Sequence, residues 1–175
     1  MGASCSPRRP ILQGCGPVIF VTVGTQLPFD RLIRAVDAWA DAKAHADVFA
    51  QVGDGGFTPM NIDSVPHLRP TLFEHQIQDA SVVVAHAGMG TILTCLDLGK
   101  PLLILPRRSN LGEHRNDHQL ATAARFCRHP SIRVAEDEEQ IAEHLDALLK
   151  MKGTVPLVLG MRLELIEEIR AFVGQ

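Results

Sequence analysis

The chain has 175 residues, 46% of them hydrophobic and 21% charged, with a formal net charge of −3. That length carries one domain with a sizeable core and is too short for two full nucleotide-binding domains. The balanced charge offers no global basic field for nucleic acid, and no apolar run reaches the length of a membrane span.

Residues Met1–Gly16, rich in Ser, Pro, Gly and Arg, read as a flexible lead-in without the apolar stretch of a signal peptide. A single domain is expected over residues 17–175. The β-branched run Val18–Val23, closed by Gly24-Thr25, predicts a central strand. Phe29–Ala44 follows as an amphipathic helix with Leu32, Ile33, Val36 and Trp39 on one stripe. Asp47–Val52 predicts a second strand, ending at Gly53-Asp54-Gly55-Gly56. Pro59, Pro66 and Pro70 make Phe57–Thr71 irregular, with a short strand around Val65–Leu68.

Phe73–Ala80 predicts a short helix feeding a buried strand at Ser81–Ala85. Thr91–Leu98 is a helix stopped by Gly99-Lys100-Pro101, and Leu102–Pro106 another buried strand. Arg107–Gly112 reads as a polar loop, Glu113–Cys127 as a helix and Ile132–Ala135 as a short strand. Asp137–Lys150 is a helix capped through Asp137, and Leu157–Val173 a last amphipathic helix. The cysteines Cys5, Cys15, Cys95 and Cys127 lack CxxC spacing. Cys95 and Cys127 lie in helical patterns and read as buried thiols, which suits a reducing cytoplasm.

Continuous apolar strands alternating with helices imply an α/β fold, a Rossmann-like parallel sheet covered by helices on both faces. Such sheets bind ligands at the carboxyl ends of their strands. The loops at that edge are Gly24-Thr25-Gln26, Gly53–Gly56, His86–Thr91 and Pro106–Gln119. The most informative is His86-Ala87-Gly88-Met89-Gly90-Thr91, where an apolar strand empties through small residues into a helix. Unpaired N–H groups and the positive end of a helix dipole make such a turn a seat for phosphate. Taken alone, the glycines could serve only the turn, and His86 could be a satisfied core histidine.

Two familiar phosphate-binding patterns are missing. Leu93 stands where GxGxxG needs its third glycine, and there is no GxxxxGK[ST]. His114 and His118, with Glu113 and Asp117 beside them, superficially resemble a metal face but lack a third well-placed ligand. No metal site is therefore expected.

The stretch SVVVAHAGMGTILTCLDLGKPLLILPRRSNLGEHRNDHQLA, Ser81–Ala121, resembles the donor-binding, C-terminal half of GT-B-fold glycosyltransferases of the family 28 type. It is closer still to stand-alone versions of that domain. These are the soluble subunit of the two-part transferase that extends dolichol-linked chitobiose, and the PssE-type subunits of exopolysaccharide transferases. VIFVTVGTQLPFDRLIRAVD matches the start of those subunits, so the resemblance covers Val18 to Leu149.

The resemblance implies that His86, with backbone N–H groups from Gly88, Met89, Gly90 and Thr91, holds the diphosphate of a UDP-sugar. His86 is also the implied catalytic residue. Asp117, His118 and Gln119 match a segment that contacts donor sugar hydroxyls, and Gly24 and Thr25 match a loop facing the cleft. Where the family places a ribose-gripping glutamate this chain has Thr94, a hydroxyl that can make one bond but no bidentate grip.

Arg107-Arg108 lies near the implied sugar pocket, where paired guanidiniums suit a carboxylate-bearing donor. UDP-glucuronate is thus slightly preferred over UDP-GlcNAc, although such a pair is more often an exposed loop charge. Because the chain resembles half of a catalytic unit, the resemblance implies a two-component inverting transferase in exopolysaccharide assembly, with UDP-sugar as substrate and no metal cofactor. A membrane-associated subunit would bring the lipid-linked acceptor, keeping this cytoplasmic chain peripheral at the inner membrane face. The rival readings are a non-catalytic UDP-sugar-binding module, favoured by Thr94, and a nucleotide-sugar epimerase, disfavoured by the single domain.

Overall fold

The computed structural model describes residues 19–43 and 47–150. The expected lead-in Met1–Gly16 and the helix Leu157–Val173 lie outside the described residues. Six strands form one sheet: β1 Ile19–Thr22, β2 Val48–Gln51, β3 Asp63–Val65, β4 Val82–His86, β5 Leu102–Leu105 and β6 Ile132–Val134. Their spatial order is β3-β2-β1-β4-β5-β6, and every pairing is parallel. The chain works outward from β1 on one side, then returns to lay β4 on its other side. That reversal opens a crevice between the carboxyl ends of β1 and β4.

Among the described residues five α-helices cover the sheet: α1 Asp30–Lys43, α2 Pro70–Asp79, α3 Met89–Asp97, α4 His118–Phe126 and α5 Ile141–Lys150. The strand pleat sends alternate side chains to opposite layers. Ile19, Val21, Val82, Val84, Leu103 and Leu105 pack against Leu32, Val36 and Trp39 of α1 and Leu145 of α5. Phe20, Val83, Ala85, Leu102 and Ile104 pack against Ile77 of α2, Ile92 and Leu96 of α3, and Phe126 of α4. Burial on both faces explains why these strands read as unbroken apolar runs.

Several boundaries differ from the sequence-based expectations. α2 begins at Pro70 rather than Phe73, because proline's fixed φ and missing N–H suit the first helical turn. The short third strand comes earlier, at Asp63–Val65, with Phe49 opposite Asp63. α3 starts at Met89, so the glycine turn is tighter than expected.

The helix expected over Glu113–Cys127 is only His118–Phe126. Glu113 and Asp117 instead spend their carboxylates on the loop: Glu113 Oε2 accepts from Arg108 N at 2.9 Å, and Asp117 Oδ1 from Ser109 N at 2.8 Å. Such bonds compete with helix formation. The Asp137 cap is present, accepting from Gln140 N at 3.2 Å, and heads a 3-10 turn that runs into α5. Cys95 is buried as expected, its thiol pushed up to about 12 by burial; Cys127, at the end of α4, is exposed instead.

Candidate functional site

β4 ends in His86, which stands opposite Leu105 in the sheet. Two residues later Gly88 caps α3 with extended backbone and no side-chain hydrogen bond. The first intrahelical bond runs from Ile92 N to Gly88 O at 3.1 Å. The N–H groups of Met89, Gly90 and Thr91 precede it and point out of the helix end, where they concentrate partial positive charge. Gly90 has open space around the position of a Cβ.

The His86 ring sits in a slot walled by two glycines. A Cβ on Gly24 would come 2.7 Å from its Cε1, and one on Gly88 2.2 Å from its Nε2. Any other residue at either position would drive into the imidazole. Gly24 also adopts a φ of 80°, a left-handed conformation natural to glycine. Its main chain is held on both sides: its N–H donates to Thr22 Oγ1 at 3.2 Å, and its carbonyl accepts from Gln51 Nε2 at 3.1 Å.

His86 Nδ1 is buried without a hydrogen-bond partner. Burial lowers the imidazole pKa, and the Arg107 charge and His114 lower it further; the Thr22 main chain acts the other way, leaving it at about 4. At neutral pH His86 is therefore an uncharged imidazole.

Arg107 is the largest departure from the sequence reading. Its side chain turns inward and is 3% exposed. Nη1 donates to Pro28 O at 2.8 Å and Glu113 O at 3.2 Å; Nη2 donates to Val23 O at 2.8 Å and Leu27 O at 2.6 Å. The guanidinium also lies over the Phe29 ring, 4.6 Å from its centroid. Burial lowers its pKa to about 10, with Glu113 opposing, so it stays cationic at neutral pH. A group committed to four carbonyls has no parallel pair of N–H donors to fork onto a sugar carboxylate. The expected donor-sugar role of Arg107 is therefore replaced by a main-chain strut. Arg108, half-buried, donates to the Glu136 carbonyl.

The remaining predicted residues gather on the same edge. Gln119 is buried, and its Oε1 accepts from Ala87 N at 3.2 Å and Arg107 N at 3.1 Å, tying the ends of β4 and β5 together. Any sugar contact of Gln119 falls to its amide nitrogen. Asp117 is exposed, and its bond from Ser109 lowers its pKa. His118 pairs with Asn116 and packs edge-on against His114, with ring centroids 4.6 Å apart. Thr94 donates its hydroxyl back to Gly90 O at 2.9 Å, keeping only its lone pairs for a ligand. Thr25 is exposed beside Gly24.

A clamp absent from the sequence reading secures the β5–α4 loop. Arg31 of α1 donates to both Glu113 oxygens, at 2.7 and 2.9 Å, to Glu138 at 3.0 Å and to the Pro106 carbonyl at 3.0 Å. A single arginine facing loop-rich segments is the signal that could have found it, since arginine's fork of donors suits orphaned loop carbonyls. By contrast, a groove of about 630 Å³ between α1 and α5 contains none of the predicted site residues.

Residues 18–156 match the glycosyltransferase family 28 C-terminal domain. The chain belongs to that family. A human relative, UDP-N-acetylglucosamine transferase subunit ALG13, is 33% identical over 116 residues, covering 60% of this chain and 10% of the relative. The mouse protein of the same name is 31% identical over 107 residues, covering 55% of this chain and 9% of its own length. The chain thus spans about a tenth of the length of these curated relatives.

Among solved structures, the calicheamicin glycosyltransferase CalG4 superposes with a TM-score of 0.60 at 19% identity, over 96% of this chain and 46% of that one. The solution structure of ALG13 gives 0.57 at 20% identity, over 83% and 90%. At such identities these likenesses concern the fold. They bear out the Rossmann-like half of a GT-B glycosyltransferase expected for this family 28 domain.

Proposed function

We propose that this chain is the donor-binding subunit of a two-component inverting UDP-sugar glycosyltransferase. The observation that carries this reading is the open N-terminus of α3 beside neutral His86, at the sheet's switch point. Negative charge grows on the diphosphate as the glycosidic bond breaks. The N–H groups of Met89, Gly90 and Thr91 are oriented to receive it without a metal ion, and the uncharged His86 ring lies beside them. The base that deprotonates the acceptor belongs to the missing half of the cleft.

That half is proposed to be a membrane-associated partner carrying a lipid-linked acceptor in polysaccharide assembly, with this chain at the cytoplasmic face. Among the described residues no helix is long and apolar enough to cross a membrane. The human relative's name, a transferase subunit for UDP-N-acetylglucosamine, supports both the donor class and the need for a partner. With Arg107 turned inward, the case for a uronate donor loses its main support, and UDP-GlcNAc becomes the preferred donor.

Calorimetric titration of the purified chain with UDP in metal-free buffer tests the site, with NAD as control. Binding of UDP and not NAD supports the reading; binding of neither, by a folded chain, counts against a preformed donor site. A second reading, a UDP-sugar-binding module without catalysis, draws on Thr94, whose hydroxyl is already engaged by Gly90. Restoration of sugar transfer by an added membrane partner rules that module out.

A further inference from the structure

Arg107 is bonded to the chain next to both walls of the His86 slot without entering it. Its side chain bonds the carbonyl of Val23, the residue before Gly24. Its main-chain N–H shares Gln119 Oε1 with the N–H of Ala87, the residue before Gly88. One residue is therefore tied to the main chain beside both glycines that sandwich the imidazole, directly at Val23 and through the Gln119 amide at Ala87. The same guanidinium fastens Leu27 and Pro28 of the β1–α1 loop to Glu113 of the β5–α4 loop, across the mouth of the crevice.

We propose that Arg107 is a positioning residue for the diphosphate site, holding the Gly24–His86–Gly88 slot in register beside the α3 N-terminus. The proposal rests on the donor-site reading above and assigns Arg107 no contact with substrate. Lysine keeps the charge but has three donors on a single nitrogen and no planar fork, so it cannot reach four separated carbonyls. Arg107→Lys therefore removes the geometry while leaving a cation near His86.

The test measures UDP affinity by calorimetry and the His86 titration by NMR, in the wild-type chain, in Arg107→Lys and in Asp37→Asn. Asp37 is a buried anchor of the β2–β3 loop, accepting from Met60 N and Asn61 N at 3.1 and 2.7 Å. It therefore controls for lost stability elsewhere. Arg107→Lys is expected to weaken UDP binding about tenfold or more and to move the His86 midpoint upward from about 4 as water enters the slot. Asp37→Asn is expected to lower stability and leave both readings at their wild-type values.

Wild-type UDP affinity and His86 midpoint in Arg107→Lys overturn the proposal, as do equal shifts in Asp37→Asn. Should the wild-type chain bind no UDP while the His86 midpoint moves only in Arg107→Lys, the donor reading fails and the control of the slot by Arg107 stands. If Arg107→Lys does not fold, the wild-type guanidinium protons serve instead. Slowly exchanging Hη signals that shift on adding UDP support the proposal. Signals that exchange freely, or ignore UDP while His86 responds, overturn it.

Discussion

Gly88 and Gly90, two positions apart, carry opposite constraints. A methyl group on Gly88 lands on the His86 ring, whereas one on Gly90 meets nothing within the protein. Gly88→Ala is expected to lower stability by about 1–3 kcal/mol, as overpacked sites do, and to abolish UDP binding. Gly90→Ala is expected to raise stability by about 0.5–1 kcal/mol through helix propensity. It should nevertheless weaken UDP binding, because its methyl occupies the approach to the N–H groups. Denaturant melts paired with calorimetry check both, and a Gly90→Ala chain with unchanged UDP affinity would place the diphosphate elsewhere.

His86 makes a second residue-level prediction. Its folded pKa, about 4, lies below the ordinary value of 6.5. Between those values the unfolded chain binds a proton that the folded chain does not. Stability from this group is therefore intact above pH 6.5 and lost as pH falls towards 4, by at most about 3 kcal/mol. A diphosphate beside the ring raises its pKa, so donor binding takes up a proton in that window and tightens as pH falls. Titrations with a UDP-sugar, which lacks UDP's titrating terminal phosphate, in buffers of different ionisation enthalpy measure this uptake. His86→Gln should remove it.

Charged struts also join the elements that meet at the site. The ion pair of Arg31 with Glu113 joins α1 to the β5–α4 loop, with the two side chains only 10% and 12% exposed. Screening is weak at such burial, and the bidentate geometry adds to it. Glu113→Gln is expected to cost about 1.5–3 kcal/mol, and to increase hydrogen exchange from Arg107 to Asp117 before it affects the β1–β4 strands. Uniform loosening of the whole sheet would show that the pair supports the core and not the loop. The Arg31–Glu138 bond is more exposed on its acidic side, 47%, and should contribute less than 1 kcal/mol.

For the whole molecule, the proposed two-component arrangement predicts binding without turnover. The isolated chain is expected to bind UDP and to show negligible transfer to lipid-linked or soluble acceptors. Transfer should appear when a membrane subunit is supplied, and robust turnover by the purified chain alone would defeat the two-component reading.

The α/β class, the order of strands and helices, and the glycine turn from strand to helix at His86–Thr91 were legible in the sequence. They depend on local chemistry: β-branched runs, helical stripes such as Leu32-Ile33-Val36-Trp39, and glycines at a strand–helix junction. The fates of Arg107, Glu113 and Gln119 were not legible. Each is polar, follows a strand or loop, and could as well have faced water. What turned them inward was the arrival of groups distant along the chain: the carbonyls of Val23, Leu27 and Pro28 for Arg107, the Ala87 N–H for Gln119 and the Arg31 guanidinium for Glu113. The same holds for Gly24, whose need to be glycine comes from an imidazole supplied by another strand. Sequence by itself determined the elements and the open helix end, because their causes lie within a few residues. Only the tertiary structure decided which polar side chains are committed to the backbone, because that depends on what non-local neighbours leave unpaired.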